Sequence, residues 1–357
     1  MGIPVSMVNP GMARQKPADD TKLGFGTYFS NHMFILNYET DKGWHNPRIV
    51  PHAPFILDPA SVILHYGQEV FDGYKAYRHP ENRIAMFRAK DSFKRMQNSA
   101  NRMCIPEYPE DIVYAGVKKL IQIDRDWVPS APGTSLYIRP TIIATEAFLG
   151  VRPAHEYILY IITSPVGAYY PEGFNPVKIL VEDKYVRASP GGIGQAKTSA
   201  NYAASLKAQV EAQEKGYTQV LWLDAVERKY VEEVGTMNIC FKFKDELVTP
   251  PLTGTILPGI TRNSILTMSR DMGINVNERP ITIDEVIDKA KSGELKEVFG
   301  MGTAAVISPV GSFGYKSEEI VIADGKTGKL SQDFFDKLTG VQYGLAPDPY
   351  SWMDVID

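Results

Sequence analysis

The chain has little that would staple or anchor it. Among 357 residues there are two cysteines, Cys104 and Cys240, which excludes a disulfide scaffold and leaves no cysteine set for a zinc site. That usage fits a reducing compartment. Long apolar runs are missing: stretches such as 157–162 fall far short of the roughly 18 residues that span a bilayer. No charged start followed by an apolar stretch marks a secretory signal, so a cytoplasmic location is expected. Met1-Gly2-Ile3-Pro4-Val5-Ser6 fits the loose myristoylation pattern, but no polybasic cluster follows it. An excess of positive charge is also absent. Lys and Arg number 38 against 42 Asp and Glu, a net charge of −4, which argues against a nucleic-acid partner. The six histidines show no ligand spacing such as H-x-x-x-H, and no metal is expected.

What remains is an ordinary globular mix, 44% hydrophobic and 22% charged, which rules out wholesale disorder. At roughly 100–200 residues per domain, the length predicts two domains. Residues 1–22 read as a flexible polar leader and 23–170 as a smaller N-terminal domain. The Pro- and Gly-punctuated stretch Tyr169-Tyr170-Pro171-Glu172-Gly173-Phe174-Asn175-Pro176 holds an interdomain linker at 171–176, and 177–357 forms the second domain. Residues 135–144, 157–163, 177–181 and 219–223 are rich in β-branched and aromatic side chains and predict strands. The pattern over 91–103 predicts a helix with Phe93, Met96, Ala100 and Met103 on one face. Further helices are expected at about 199–215, stopped by Gly216, at 261–272 and at 283–292. Strands and helices do not alternate cleanly in either half, which favours two α+β domains over one doubly wound sheet.

The segment Gly191-Gly192-Ile193-Gly194-Gln195-Ala196-Lys197-Thr198 misses the phosphate-loop pattern by one residue, with Ala196 where the second Gly belongs. Val220-Leu221-Trp222-Leu223-Asp224 would serve as an apolar strand ending in a Mg²⁺-binding Asp. Against a nucleotide hydrolase stand the Arg187, Ser189 and Pro190 that precede the loop, a poor lead-in for a buried parallel strand. The other reading takes Lys197 as a nucleophilic amine for pyridoxal 5'-phosphate, with small neighbours that leave room for a flat ring. Such a cofactor needs an acid at its pyridine nitrogen, a phenol near O3′ and an anion seat. Glu233-Val234-Gly235-Thr236-Met237-Asn238 offers a carboxylate leaving a strand, and Gly254-Thr255-Ile256-Leu257-Pro258-Gly259-Ile260-Thr261 runs into a helix whose amides suit a phosphate. Taken singly, each has a plain reading: Lys197 a solvated loop lysine, Glu233 a surface acid, Thr261 an ordinary cap.

Together these segments resemble the branched-chain amino acid aminotransferases of fold-type IV. The likeness also runs through His65-Tyr66-Gly67-Gln68-Glu69-Val70-Phe71-Asp72-Gly73, Phe87-Arg88, Ser135-Leu136-Tyr137-Ile138-Arg139-Pro140, Pro165-Val166-Gly167-Ala168-Tyr169, Asn201-Tyr202-Ala203-Ala204-Ser205 and Gly302-Thr303-Ala304-Ala305. It covers about residues 24–340 in the expected order. The resemblance implies a two-domain α+β fold like that of D-amino acid aminotransferase, with a larger C-terminal domain of mixed sheets forming a pseudo-barrel. It implies Lys197 as the Schiff-base lysine that moves a proton between the substrate Cα and the cofactor's C4′. Glu233 would partner the pyridine nitrogen and Tyr202 the O3′. Arg88, Ile260, Thr261 and Thr303 would hold the phosphate, with Thr236 nearby and Arg187 on the phosphate side. Tyr66 and the Thr303-Ala304 turn would hold the substrate α-carboxylate. Phe71, Tyr137 and Tyr169 would wall an apolar pocket, and Arg139 would pair with the distal carboxylate of glutamate. Leu149 and Val151 match residues that complete the pocket of a partner subunit, implying a homodimer.

The implied reaction is reversible, ping-pong transamination of L-leucine, L-isoleucine and L-valine with 2-oxoglutarate. A D-amino acid aminotransferase and an aminodeoxychorismate lyase are the neighbouring alternatives within the fold, and the long matches around Tyr66–Phe71 and Tyr137–Arg139 speak against both. Mammalian members carry a C-x-x-C pair after the Thr303 position. Here Ala305 and Ser308 stand there, so no thiol switch is expected. Asp72 replaces the Glu of many relatives, with no consequence expected.

Overall fold

The computed structural model describes residues 2–167 and 174–356. The contacts group the chain into two units. The first comprises Met1–Tyr169, Ala196–Ser199 and Gly340–Asp357, and the second comprises Tyr170–Gln195 and Ala200–Thr339. The first half of the expected linker at 171–176 falls outside the described residues. The sequence pattern places everything from 177 onward in one domain, whereas the segments around Lys197 and the C-terminus count with the first unit.

The first unit is an eight-stranded sheet with helices packed on one face. Its elements in chain order are β1 (His32–Glu39), β2 (Gly43–Pro51), α1 (Val62–Tyr66), β3 (Glu69–Phe71), β4 (Tyr74–Arg78), β5 (Ile84–Phe87), α2 (Ala89–Arg102), α3 (Glu110–Ile123), β6 (Ser135–Ala144) and β7 (Glu156–Val166). The C-terminal strand, Met353–Val355, pairs antiparallel with β5. Tyr343 donates its hydroxyl to the Thr134 carbonyl at 2.9 Å, and Ile356 is buried in the same core. These contacts bring the C-terminus into this unit. Residues near the start are tied as well: Ser6 N–H donates to the Ile49 carbonyl and Ile49 N–H to that of Pro4, both at 2.9 Å.

The strand pleat decides what each face does. Leu136, Ile138, Ile142 and Ala144 of β6 enter the hydrophobic core with Phe93, Met96 and Ala100 of α2 and Val113, Val117 and Leu120 of α3. Alternation sends Tyr137, Arg139 and Thr141 to the other face. The apolar stripe expected on α2 is therefore present, with Met103 packed at its edge.

The second unit is a nine-stranded mixed sheet. It contains β8 (Val177–Glu182), α4 (Ser199–Glu214), β9 (Gln219–Leu223), β10 (Val231–Val234), β11 (Asn238–Phe243), β12 (Leu247–Thr249), α5 (Ile260–Asp271), β13 (Val276–Glu278), α6 (Ile283–Lys291), β14 (Leu295–Gly302), β15 (Val306–Tyr315), β16 (Glu318–Val321) and α7 (Lys329–Gln342), followed in the chain by the C-terminal β17 of the first unit. The strand order is β10-β9-β8-β15-β14-β11-β12-β13, with β16 on β15. The β8–β9 pair is parallel and needs a crossover, which α4 provides. Ala208 and Ala212 of α4 pack on Val220 and Trp222 of β9. Gly216 ends the crossover helix at φ +82°, a left-handed conformation that favours glycine. Both units mix strands and helices, so the fold class is α+β.

Candidate active site

In the first unit the site is built on β3, β6 and the polar side of α2. Lys197 is half-buried, and the backbone around it is fixed at three points. Its N–H donates to Ser99 Oγ at 2.9 Å, its carbonyl accepts from Phe71 N–H at 3.0 Å, and Ser199 N–H donates to Glu69 Oε1. Its ammonium lies 5.0 Å from the Phe71 ring centroid. Desolvation, reinforced by the Arg95 charge, pushes the Lys197 pKa down to about 8, against an opposing pull from Asp72 and Tyr137. An amine that must be neutral for part of a cycle is poised by such surroundings.

Arg95 is held by Asp72 through two bonds of 2.6 and 2.9 Å, and Asp72 is fully buried. Arg139 stacks over Phe71 at 4.7 Å and over Tyr137 at 5.2 Å from the ring centroids, and it donates to the Tyr137 hydroxyl at 3.2 Å. Gly73 makes this arrangement possible, since a Cβ there would collide with the Tyr137 hydroxyl. Arg88 adopts the left-handed conformation just before α2, bonds Asp91 at 2.7 Å and stacks on Trp352 at 5.2 Å. Tyr66 donates its hydroxyl to the Leu149 carbonyl. Leu149 and Val151 are exposed, at 62% and 85%. Tyr169 lies outside the described residues.

In the second unit the centre is Glu233, a buried carboxylate at the end of β10. Its Oε1 accepts from Asn238 Nδ2 at 3.1 Å and from Leu257 N–H at 2.9 Å, and its Oε2 lies 3.1 Å from Arg187 Nε. Arg187 also donates to the carbonyls of Gly194 and Thr255. The arginine expected on the phosphate side thus lies against Glu233, where a buried carboxylate needs a compensating charge. Asn238 also bonds the Leu257 carbonyl at 3.0 Å and fills the space that a Cβ on Gly259 would need. Gly259 then caps α5, whose first residues are Ile260 and a buried Thr261. Tyr202 is half-buried in the first turn of α4, Thr236 is exposed on the β10–β11 turn, and Thr303 and Ala304 form the half-buried turn between β14 and β15.

These donor sets fit pyridoxal 5'-phosphate chemically. The first unit provides an enclosed amine of lowered basicity. The second provides a carboxylate held by hydrogen bonds and a guanidinium, and the start of a twelve-residue helix whose amides attract an anion. A phosphate-loop reading fits poorly, because the Lys197 N–H and carbonyl are both engaged.

Residues 69–313 match the family model described as amino-transferase class IV. The chain belongs to the class IV aminotransferases. Within that family it is 53% identical over 339 residues to branched-chain-amino-acid aminotransferase 2 of Bacillus subtilis, covering 95% of this chain and 93% of that protein. The crystal structure of the Escherichia coli branched-chain amino acid aminotransferase superposes with a TM-score of 0.77 at 28% identity, over 91% of this chain and 99% of that one. The T.th. branched-chain amino acid aminotransferase with pyridoxamine 5'-phosphate gives 0.75 at 26% identity, over 90% and 98%. This class IV aminotransferase is thus a member of the branched-chain-amino-acid aminotransferase group.

Sequence reasoning misses four members of the arrangement. Arg95 and Ser99 lie on the polar side of α2, one turn apart, and both are buried. An amphipathic reading assigns such positions to solvent, so the helix pattern conceals them. Asp72 and Asn238 stand inside segments singled out by motif, but their partners are separated in sequence and no local signal pairs them.

Proposed function

We propose that this aminotransferase converts L-leucine, L-isoleucine and L-valine, with 2-oxoglutarate, to the branched 2-oxo acids and L-glutamate, reversibly and by a ping-pong sequence. It works with pyridoxal 5'-phosphate as a cytoplasmic homodimer. The observation that carries this reading is Lys197, set in a segment fixed by three hydrogen bonds and with its pKa pushed down to about 8. When bound, the cofactor supplies an electron sink that acidifies the substrate Cα–H. Lys197 Nζ takes that proton and returns one, which requires an amine near neutrality in its protonation. Glu233, held by two N–H donors and Arg187, would partner the cofactor's ring nitrogen. Ile260 and Thr261 at the start of α5, with Thr303, Thr236 and Arg88, are the residues proposed for the phosphate.

Arg139 supports the choice of substrates. Its guanidinium already rests on Phe71 and Tyr137, so it is satisfied beside an aliphatic side chain and still able to pair with a distal carboxylate. Tyr66 with Thr303 and Ala304 would hold the α-carboxylate, and Tyr202 the cofactor's phenolic oxygen. The exposed Leu149 and Val151 suit a role in the partner's pocket. Among the described residues no helix is long and apolar enough to cross a membrane. The test is glutamate formation from 2-oxoglutarate with each of the three amino acids. Turnover with all three supports the proposal; turnover confined to D-alanine or to aminodeoxychorismate overturns it.

A further inference from the structure

We propose that Glu69 is a positioning residue for Lys197, clamping the backbone just beyond the lysine and setting the negative charge that its amine experiences. The inference rests on the reading of Lys197 as the reactive amine. Glu69 and Phe71 are two residues apart on β3 and are anchored to β6 by the register Glu69↔Ile143 and Phe71↔Thr141. From that short strand, Phe71 N–H holds the Lys197 carbonyl at 3.0 Å while the Glu69 carboxylate accepts from Ser199 N–H. The lysine segment is therefore gripped on the C-terminal side by β3 and at its own N–H by Ser99 of α2. Of the three gripping groups, only Glu69 carries charge.

Ser199 is also the first residue of the sixteen-residue α4, so the carboxylate accepts from the first N–H of a helix, where negative charge is favoured. Glu69 is 5% exposed. Burial raises its pKa, while the Ser199 donors and the charges of Arg139 and Lys197 pull it down. Tyr160 of β7 also lies within its field. The groups facing Lys197 itself are Arg95, Asp72, Tyr137 and Arg139. Asp72, although bonded to Arg95, opposes the two arginines at Lys197, and the Glu69 charge, which interacts with Lys197, adds to that opposition.

Two substitutions separate clamp from charge. E69Q keeps an acceptor for Ser199 N–H and removes the charge; E69D keeps the charge and shortens the reach. In the full-length, cofactor-free chain, Lys197 acetylation is followed against pH by peptide mass spectrometry, and Ser199 amide exchange is measured beside it. E69Q is expected to lower the apparent pKa of Lys197 by roughly one unit with Ser199 exchange little changed. E69D is expected to leave the pKa near wild type and to speed Ser199 exchange roughly tenfold. An E69Q profile that overlays wild type overturns the proposal. So does an E69D profile displaced downward from wild type by roughly one unit, an outcome that is read without E69Q. Borohydride trapping of pyridoxal 5'-phosphate on wild-type Lys197 is the separate control. Its failure removes the catalytic reading, while the two profiles still decide the role of Glu69.

Discussion

The two units enclose opposite charges and treat them in opposite ways. The first encloses an amine, Lys197, and adds the nearby Arg95 and Arg139 to its desolvation, so its pKa falls to about 8. The second buries a carboxylate, Glu233, and gives it two N–H donors and a guanidinium. Desolvation favours the neutral form of either group. Around Lys197 the neighbouring arginines add to desolvation. Around Glu233 the two N–H donors and the guanidinium oppose it. Burial alone therefore does not reveal the role of an ionisable group; the identity of its neighbours does.

The largest effect should come from breaking the first half of this contrast. Lys197→Ala is expected to reduce transamination by ~10⁴-fold with the fold intact, because proton transfer at the substrate Cα loses its carrier; circular dichroism and a glutamate assay check it. Near wild-type turnover would remove Lys197 from the chemistry. Breaking the second half should cost less rate but more stability. Glu233→Ala leaves the buried Arg187 without its carboxylate, and roughly 3–5 kcal/mol of stability should be lost in urea unfolding, together with about 10²-fold in kcat. Glu233→Gln, which keeps an acceptor for Asn238 and Leu257, should recover part of the stability and little of the rate.

Arg139→Ala sharpens the comparison of substrates. The KM for glutamate should rise about tenfold more than that for leucine, and equal changes would contradict a dual-purpose arginine. The smallest effect concerns pH. Because the Lys197 pKa is lowered from 10.5 to about 8, the unfolded chain binds the extra proton between those values. The stability of cofactor-free protein should therefore rise with pH across that window relative to Lys197→Met, by about 3 kcal/mol in all. Parallel curves for the two proteins would show that Lys197 is not desolvated as described.

Much of this is legible in the sequence, and the limits have physical causes. Strands at 135–144 and 219–223 match β6 and β9 residue for residue, because alternation and β-branched side chains act locally. β14 and β15 do not show in the pattern. They carry Gly300, Gly302, Pro309, Gly311 and Gly314, which weaken a strand on local grounds. Close packing explains two of these: a Cβ on Gly300 would lie 2.7 Å from Met237, and one on Gly314 would collide with the Tyr217 hydroxyl. The α3 helix also goes unread, although Val113, Val117 and Leu120 follow helical spacing into the core. In the site, Lys197, Glu233 and Arg139 stand out by residue type and motif. Arg95 and Asp72, whose charges act on Lys197, and Glu69, proposed to position it, do not, since each is bonded to a partner distant in sequence. The Arg187–Glu233 contact is a further pairing between residues distant in sequence that no local signal announces.

The most direct test is the visible absorption spectrum of the cofactor-loaded protein before and after L-leucine, and again after 2-oxoglutarate. The account predicts a cofactor band that fades with leucine and returns with 2-oxoglutarate, and that is absent in Lys197→Ala. A band indifferent to leucine, or one that persists unchanged without Lys197, would contradict it.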